Sequence, residues 1–397
     1  MFSRTDKSFL GQWWWTVDRT MISALLVLIG TGILLVTTAS PPVAAHLGLG
    51  DFHFLIRHVV VLVPSLIIML AFSMMSRRMI WRLSSLIFIG TIVLMICVLM
   101  FGIEIKGARR WLHLPGFSLQ PSEFIKPAFC VVSAWFMAKQ KEQQGKGGGL
   151  ACYKISIGLY VLSISLLLLQ PDLGMTVIVS AIFMTQIFLA GFPFRYLAGL
   201  IGLAAFGLLA AYFSFSHVQS RIDRYLDPST GDNYQVERSL EAFQNGGLFG
   251  TGPGQGEIKL LLPDAHADFI FSVAGEEMGL FAILMIVGLY FFILYRGFTH
   301  LMESRDIFSV LAVGGLLSMF GLQALVHMGS SLHLLPAKGM TLPFISYGGS
   351  SLLAISLSMG IVLALTRKEV RMSISRGGIS SFSRKKAAIS SAERQTS

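Results

Sequence analysis

Residues 262–268, with the sequence LPDAHAD, place two carboxylates and an imidazole directly before a long apolar segment. Asp268 is the last of them, and an ionised carboxylate there suits a general base that removes a proton from a substrate hydroxyl. The position also suits an N-cap, because Asp accepts backbone N–H groups at the start of a helix. A helix N-terminus stabilises the ionised form that both roles use, so the sequence leaves both open. Asp264 follows Pro263 and is typical of a turn, whereas His266 is predicted either to orient a substrate or Asp268, or to be an interfacial histidine.

Five basic residues lie near the same ends of three predicted helices: Arg57, Lys106, Arg109, Arg110 and Lys126. Because a guanidinium binds two phosphate oxygens at once, such a set suits an anionic, membrane-borne substrate such as a lipid diphosphate. The alternative is that these side chains contact ordinary lipid headgroups. Composition does not choose between the two interpretations.

Two acidic residues close to these cations are predicted to have supporting roles. Glu123 and Lys126 are three residues apart in QPSEFIKP, a spacing that brings two side chains together on one face of a helix. Asp172 in QPDLG is predicted to lie in a tight turn and to cap the helix that follows.

Two further acids, Glu276 and Glu277, lie inside the apolar segment that follows Asp268. They are about two helical turns, or roughly 12 Å, from its start. Acids at that depth in a membrane are costly unless they have a partner. We therefore expect them to pair with Arg57 or Lys126.

Glycine and hydroxyl residues occupy two stretches near the predicted site. The run QNGGLFGTGPGQGEIK lacks the preceding strand and the following GK[ST] of a nucleotide loop. It is predicted to be a tight connector, with a backbone contribution to phosphate binding left open. Ser346 and Tyr347, with residues 348–350, either line a groove for a lipid tail or allow close helix packing.

No metal or disulfide framework is evident among the cysteines. Cys97 and Cys130 lie in apolar segments and Cys152 lies in a basic loop, so neither a disulfide nor a metal site is expected from them. A divalent cation, Mg²⁺ or Mn²⁺, would share the negative charge of a diphosphate. The sequence shows no dedicated ligand cluster for it, and no other cofactor is predicted.

These residues belong to a chain that is 54% hydrophobic and only 13% charged, against about 25% charged residues in a soluble domain. A membrane-spanning helix needs about 20 largely apolar residues. Ten segments qualify: 20–39, 58–76, 83–102, 122–138, 155–170, 173–192, 196–216, 269–295, 307–330 and 342–366. The fourth of these segments is short and begins with charged residues. The sequence therefore predicts an all-α polytopic membrane protein with one long loop, 217–268, between helices seven and eight. That loop is neither low-complexity nor uniformly polar, so we expect it to be ordered.

The distribution of Lys and Arg predicts the orientation of these helices. Ten helices place both termini on one side, and most of the 31 Lys and Arg residues lie in the termini and connections of that side. The positive-inside rule makes that side cytoplasmic. The chain then divides into a cytoplasmic tail (1–18), a membrane domain (19–367) whose 217–268 loop is periplasmic, and a basic cytoplasmic tail (368–397) predicted to be disordered. The net charge of +10 is dispersed among apolar segments, so it does not indicate a nucleic-acid partner.

The order of several long motifs resembles the SEDS family of bacterial cell-wall polymerases, which includes the FtsW and RodA branches. The motifs are DRT, GARRWLHL, QPSEFIKP, QPDLG, the run from YQVERS to GTGPGQG, LPDAHADFIFSVAGEEMG and LPAKGMTLPFISYGGSS, and they span nearly the whole chain. The DRT, PDAHADFIF and TLPFISYGGSS variants resemble the FtsW branch rather than the RodA branch. One stretch departs: where the family carries a sequence like NMGVNLG, this chain has HMGSSLH, with His327 and Ser331 in place of two amides.

The resemblance implies a polymerase that joins lipid II disaccharides into glycan strands at the outer membrane face. It also implies a class B transpeptidase partner, other division proteins, and a place in the bacterial inner membrane at the division septum. The family's essential aspartate maps onto Asp268, the predicted general base. The cations predicted to stabilise the departing diphosphate are Arg57, Arg110 and Lys126, with Arg109 and Lys106 behind them.

Other classes of function stay open at this point. A lipid II flippase or transporter needs polar residues through the centre of the bilayer, and a non-catalytic scaffold for a division partner needs no site at all. An elongation polymerase of the RodA type is a further alternative. The charges gather at one face of the predicted bundle, and this favours the polymerase over the transporter.

Overall fold

The computed structural model describes residues 8–104, 108–114, 117–144, 151–193, 234–335 and 340–368, with isolated positions between 194 and 233. The helices are α1 (Phe9–Thr16), α2 (Arg19–His46), α3 (His53–Ser73), α4 (Arg77–Phe101), α5 (Pro121–Gln144), α6 (Ala151–Leu169), α7 (Leu173–Leu189), α8 (Tyr234–Gly246), α9 (Ile270–Glu303), α10 (Ile307–Ser331) and α11 (Gly349–Leu365). The strands are β1 (Leu112–Leu114) and β2 (Phe117–Leu119), and a single 3₁₀ turn spans Ile258–Leu261.

Nine of the ten predicted membrane segments coincide with described helices, namely α2–α7 and α9–α11. The remaining segment, 196–216, lies outside the described residues except for isolated positions. Within the described part of the chain, six helices are long and apolar enough to cross a membrane, and α7 and α11 are apolar but shorter. The predicted all-α polytopic membrane architecture is confirmed.

The chain forms two compact units. The larger unit, 17–366, contains α2–α11. The described residues of the smaller unit are 8–16, 367 and 368. Its described helix is α1, which carries the three consecutive tryptophans at 13–15.

A buried carboxylate fixes the start of α2. Asp18 accepts hydrogen bonds from the backbone N–H groups of Thr20 at 3.1 Å and Met21 at 3.3 Å, and its other contacts are Arg296 and His300, each at 2.7 Å. Burial raises the pKa of Asp18, but the hydrogen bonds from Arg296 and His300 help bring the pKa below its ordinary value. These contacts join the first membrane helix to the last turns of α9, at the end of the bundle opposite Asp268.

α9 is interrupted at Gly279, whose φ of 76° is non-helical. A Cβ at this position would lie 2.4 Å from the backbone nitrogen of Gly250, so only glycine permits this approach. Residues 270–278 therefore form a short half-helix, and residues 280–303 form the membrane-length part. Glu276 and Glu277 belong to the half-helix.

The described part of the predicted 217–268 loop contains α8 and the 3₁₀ turn. α8 lies within it and contacts both α9 and α10 through Ser239. The Ser239 hydroxyl lies 2.6 Å from the hydroxyl of Ser272 in α9 and donates to the carbonyl of Ser331 in α10 at 2.6 Å. The 3₁₀ turn and the Asp268 segment follow. Residues 217–233 lie outside the described part apart from isolated positions.

A small antiparallel hairpin joins α4 to α5. It pairs Leu112 with Leu119 across the two strands. The backbone N–H of Gln120 donates to the Ser350 hydroxyl at 3.0 Å, and that hydroxyl donates to the Ser118 carbonyl at 3.3 Å. The hairpin is thereby fixed to the start of α11, at the same end of the bundle as Asp268.

Candidate functional site

Asp268 ends a turn directly before α9. The N-cap residue of that helix is Phe269, which makes no side-chain capping hydrogen bond, so Asp268 does not occupy the predicted N-cap position. Its backbone N–H donates to the Asp264 carbonyl at 3.0 Å. Asp264 has a φ of 56°, a left-handed conformation that Asp tolerates better than most residues. The turn leaves the Asp268 side chain half-buried, with the N-terminus of the half-helix directly after it.

The connection between α10 and α11 holds the backbone next to Asp268. The Ser346 hydroxyl donates to the Ala267 carbonyl at 2.8 Å, and the Tyr347 N–H donates to the His266 carbonyl at 3.0 Å. The Leu342 N–H donates to the Ser346 hydroxyl at 2.8 Å. Ser346 and Tyr347 therefore position the segment that carries Asp268, a role that neither of the predicted alternatives included.

An aromatic cluster surrounds His266. Its ring lies 4.3 Å from that of Phe54 and 5.0 Å from that of Tyr347, between ring centroids. Burial lowers the pKa of His266 to about 4, so the imidazole is neutral near pH 7. Arg57 is exposed and lies near enough to the Tyr347 hydroxyl for its charge to act on that group. The cluster thus brings a cation close to the Asp268 segment.

The buried imidazole predicts a pH effect on stability. The pKa of His266 is about 4 in the folded protein and about 6.5 in an unfolded chain. Between these values the unfolded state binds more protons, so the free energy of unfolding falls as the pH drops from 6.5 to 4, by on the order of 3 kcal/mol. We expect His266→Phe to remove this part of the acid sensitivity of the melting temperature in detergent.

His113 provides the matched control, because it is an exposed histidine of the hairpin. His113→Phe should leave the pH dependence of the melting temperature unchanged. Equal acid sensitivity in wild type and His266→Phe would contradict the assignment.

Arg110 binds the turn between α6 and α7. Its Nε donates to the Gln170 carbonyl at 3.1 Å, a second nitrogen donates to the Pro171 carbonyl, and a third lies 3.9 Å from Asp172. Asp172 caps α7 through the Met175 N–H at 3.3 Å, as predicted. Burial raises the pKa of Asp172 and the charge of Arg110 opposes the shift. In this structure the Arg110 guanidinium therefore binds the carbonyls of a turn, and these contacts use donors that would otherwise bind a lipid headgroup.

The predicted pairing of Glu123 with Lys126 is confirmed. The Lys126 ammonium lies 2.7 Å from Glu123, and 3.1 Å from the side-chain oxygen of Gln323 on α10. Its side chain is 1% exposed, so a membrane-borne headgroup cannot contact it here. Gln323 was missed from the sequence, although one amide in the apolar run FGLQALV is a signal that polar groups meet at that depth.

The two acids after Asp268 have a partner other than the predicted ones. Neither Glu276 nor Glu277 pairs with Arg57 or Lys126, so that prediction is wrong. Glu277 forms a buried ion pair with Lys259, whose ammonium also donates to the carbonyl of residue 38 in α2 at 3.1 Å. The reason is the break at residue 279, which places both acids beside the 3₁₀ turn instead of within the main span.

Glu276 anchors the 3₁₀ turn through hydrogen bonds to both oxygens. One oxygen accepts from Asn245 Nδ2 at 3.0 Å and from the backbone N–H groups of Glu257 at 2.8 Å and Ile258 at 2.7 Å. The other accepts from the Lys259 N–H at 3.0 Å. Side-chain and backbone donors thus compensate a fully buried carboxylate, and the turn leads directly into the Asp268 segment.

The glycine run is a tight connector, as predicted. A Cβ on Gly246 would lie 2.0 Å from the Gly275 carbonyl, and one on Gly250 would lie 2.3 Å from the Glu277 carbonyl. The N–H groups of Thr251 and Gly252 donate to carbonyls at the end of the half-helix, at 2.9 and 3.0 Å. Because these two N–H groups already donate to carbonyls of the protein, they are not available to bind a phosphate.

The two remaining predicted cations differ in what can be described. Arg109 is exposed and lies 3.6 Å from Glu104. Lys106 lies outside the described residues. Of the predicted cations that are described, Arg57 is the exposed one whose charge acts on the aromatic cluster of the Asp268 segment.

The departure from the family pattern at 327 and 331 is accommodated by new contacts. The Nδ1 atom of His327 lies 2.6 Å from the Met340 carbonyl. The Ser331 hydroxyl donates to the His327 carbonyl at 3.1 Å. His327 therefore helps to hold the connection between α10 and α11, whereas the Ser331 hydroxyl bonds within α10. Neither side chain contacts the Asp268 turn directly in the described hydrogen bonds.

The fold and the site define a polytopic membrane protein with a carboxylate on a turn at one end of its helical bundle, and an exposed arginine beside the aromatic cluster of the same segment. A family model described as cell cycle protein, FtsW/RodA/SpoVE, matches residues 19–371. The chain belongs to this family.

Named relatives and solved structures agree with this placement. A protein of Caulobacter vibrioides named a probable peptidoglycan glycosyltransferase FtsW is 44% identical over 92% of this chain and 93% of its own length. A protein of Escherichia coli with the same name is 32% identical over 91% of this chain and 89% of its own length.

Among solved structures, one match is a chain of a peptidoglycan synthase complex that was studied for its structural coordination of polymerization and crosslinking. It superposes on this chain with a TM-score of 0.72 at 28% identity. It covers 88% of this chain and 97% of its own. The rod shape determining protein RodA of Thermus thermophilus superposes with a TM-score of 0.65 at 27% identity, over 89% and 97% of the two chains.

Proposed function

We propose that this protein is a peptidoglycan glycosyltransferase that polymerises lipid II at the outer face of the inner membrane. The observation that carries the proposal is Asp268, half-buried on a turn that Ser346 and Tyr347 hold in place, with exposed Arg57 on the same aromatic cluster. A fixed carboxylate and an accessible cation are the two groups that transfer from a lipid diphosphate needs.

The proposed reaction joins two sugars and releases a diphosphate. A sugar hydroxyl oxygen bonds to the anomeric carbon of a second lipid II molecule, and the bond from that carbon to the undecaprenyl diphosphate breaks. The hydroxyl proton passes to Asp268, and the leaving diphosphate keeps the bonding electrons. A positioned general base of this kind contributes about 10²–10⁴-fold to a rate.

Arg57 is the cation assigned to the departing diphosphate. We expect Arg57→Ala to raise the KM for lipid II about 10–100-fold, because a hydrogen bond to a charged group is worth about 1.5–3 kcal/mol. Steady-state polymerisation at varied lipid II concentration measures this. Arg238→Ala is the matched control, since Arg238 is a partly exposed arginine that pairs with Glu241 and has no assigned contact with the diphosphate. An Arg57 variant with the KM of wild type would return Arg57 to an ordinary headgroup contact.

A divalent cation has no ready-made binding site among the residues that the structure describes. They contain no group of three or more His, Cys, Asp or Glu side chains that could hold a metal ion, and no step is assigned to a metal held by the protein. Mg²⁺ or Mn²⁺ would accompany the diphosphate as its counterion.

The proposed setting is septal wall synthesis with a class B transpeptidase and other division proteins. The motif variants of the chain and the names of its relatives support this assignment. Both termini are proposed to be cytoplasmic, by the positive-inside rule. A fluorescent fusion should gather at the septum of dividing cells, and a uniform lateral distribution would favour an elongation polymerase instead.

A flippase is the second candidate. In the described residues the buried ionic groups around Lys126 and Lys259 lie towards the Asp268 end of the bundle, and this does not support a polar path across it. Purified protein with its transpeptidase partner and lipid II in liposomes distinguishes the candidates. We expect glycan polymer; transfer of labelled lipid between leaflets without polymer would overturn the proposal.

A further inference from the structure

A buried hydrogen-bond path connects Lys126 to the loop that holds Asp268. It begins at the Lys126 ammonium, which donates to the side-chain oxygen of Gln323 at 3.1 Å. An ammonium is only a donor, so this contact fixes the orientation of the amide and directs its nitrogen away from Lys126. That nitrogen donates to the Thr341 carbonyl at 3.2 Å and the Thr341 hydroxyl at 3.3 Å.

Thr341 begins the loop that binds the Asp268 segment. Its hydroxyl lies 2.6 Å from that of Ser351 in the first turn of α11. The next residue, Leu342, donates its N–H to the Ser346 hydroxyl, which donates in turn to the Ala267 carbonyl; both distances are 2.8 Å. The path therefore ends one residue before the proposed general base.

The Lys126 end of the path is buried inside the protein. The Lys126 side chain is 1% exposed and its second partner, Glu123, is 7% exposed. Gln323 is 1% exposed. A charge that is sequestered and already neutralised in this way is poorly placed to stabilise a diphosphate at the membrane surface, but well placed to fix a polar network.

We infer that Lys126 is a positioning residue for Asp268 that acts through Gln323 and the 341–347 loop, and not a ligand of the diphosphate. This inference rests on the proposed glycosyltransferase function. In this inference the Lys126–Glu123 pair orients the Gln323 amide, and the amide fixes Thr341. The loop in turn fixes the carbonyls of His266 and Ala267. Loss of any link should misplace the Asp268 carboxylate without changing the cations that lipid II contacts.

Gln323→Met tests the inference most cleanly, because it keeps the side-chain volume and leaves Lys126 paired with Glu123. We expect kcat for polymerisation to fall about 10–100-fold, as a small misplacement of a reacting group does. The KM for lipid II should stay within about twofold of wild type, since no substrate contact is lost. Lys126→Met should lower kcat similarly, and the double variant should be no worse than the poorer single variant, because both changes break one path.

Gln186→Met is the control. Gln186 is a fully buried amide in α7 that binds Ser133 and Cys130, and its described contacts do not reach the 341–347 loop. This variant should lose a comparable amount of stability and retain kcat, which separates positioning from general loosening of the bundle.

Three results would overturn the inference: wild-type kcat in Gln323→Met, a raised KM with unchanged kcat in Lys126→Met, or additive losses in the double variant. Failure of the proposed function is distinguishable from all three, because the wild-type protein would then form no polymer.

Discussion

Asp268→Asn is expected to slow glycan polymerisation about 10²–10⁴-fold, the contribution of a positioned general base. The substitution keeps the shape of the side chain and removes its ability to take up a proton. The turn should survive, because backbone contacts of Asp264, His266 and Ala267 help to hold it and the substitution leaves them in place. Lipid II affinity should therefore be retained while polymer is lost, as gel analysis of product and a separate binding assay would measure.

Asp264→Asn is the matched control for this prediction. It makes the same change of charge four residues away, and Asn tolerates the left-handed conformation that position 264 adopts. We expect nearly wild-type polymerisation. Full polymer yield from Asp268→Asn, or equal losses in both variants, would refute the assignment of Asp268 as the base.

Lys259→Met is expected to destabilise the protein by about 3–5 kcal/mol, because it leaves the buried carboxylate of Glu277 without its counterion. Lys259 and Glu277 have side-chain exposures of 5% and 0%. The substitution also removes the contact between the 3₁₀ turn and the Thr38 carbonyl. Since that turn leads into the Asp268 segment, polymerisation should fall together with the melting temperature in detergent.

A double variant separates the ion pair from simple loss of a side chain. Lys259→Met combined with Glu277→Gln removes both charges and should recover much of the lost stability. Arg238→Met is a surface control, because Arg238 and Glu241 form an exposed pair on α8, and exposed pairs contribute little. A Lys259→Met variant as stable as Arg238→Met would show that the buried pair contributes nothing.

The helices were predictable because each depends mainly on its own sequence. A run of about 20 apolar residues can satisfy its backbone in a membrane only as a helix, and nine of the ten predicted segments coincide with described helices. The pair Glu123–Lys126 and the Asp172 cap were predictable for the same reason, since spacing within one element brings the groups together.

The partners of Glu276 and Glu277 were not predictable, because the contacts that decide them cross between elements. One such feature is the break at Gly279. A single glycine in an apolar run does not tell the reader of a sequence that the helix is interrupted there. The other is the return of the 3₁₀ turn, which brings Lys259 to Glu277. The nearest plausible cations along the predicted helix ends were Arg57 and Lys126, and the three-dimensional path of the loop excluded both.

The burial of Lys126 was hidden for a related reason. The sequence places Lys126 on a helix, near the outer end of that helix. The exposure of its side chain depends on whether α10 covers the face of the helix on which Lys126 lies. Glu123 and Gln323 supply the polar partners that compensate the burial of the Lys126 ammonium. Arg110 likewise binds the carbonyls of the α6–α7 turn, a role that residue type alone does not distinguish from phosphate binding.

Chemical rescue of Asp268→Ala by formate tests the central claim most directly. Formate carries a carboxylate small enough to occupy the space of the missing side chain and to accept the hydroxyl proton in its place. If the Asp268 carboxylate is the base, formate should restore polymerisation in proportion to its concentration, and chloride at equal ionic strength should not. Wild-type activity of Asp268→Ala without formate would contradict the account. So would the absence of any recovery in a folded variant that still binds lipid II.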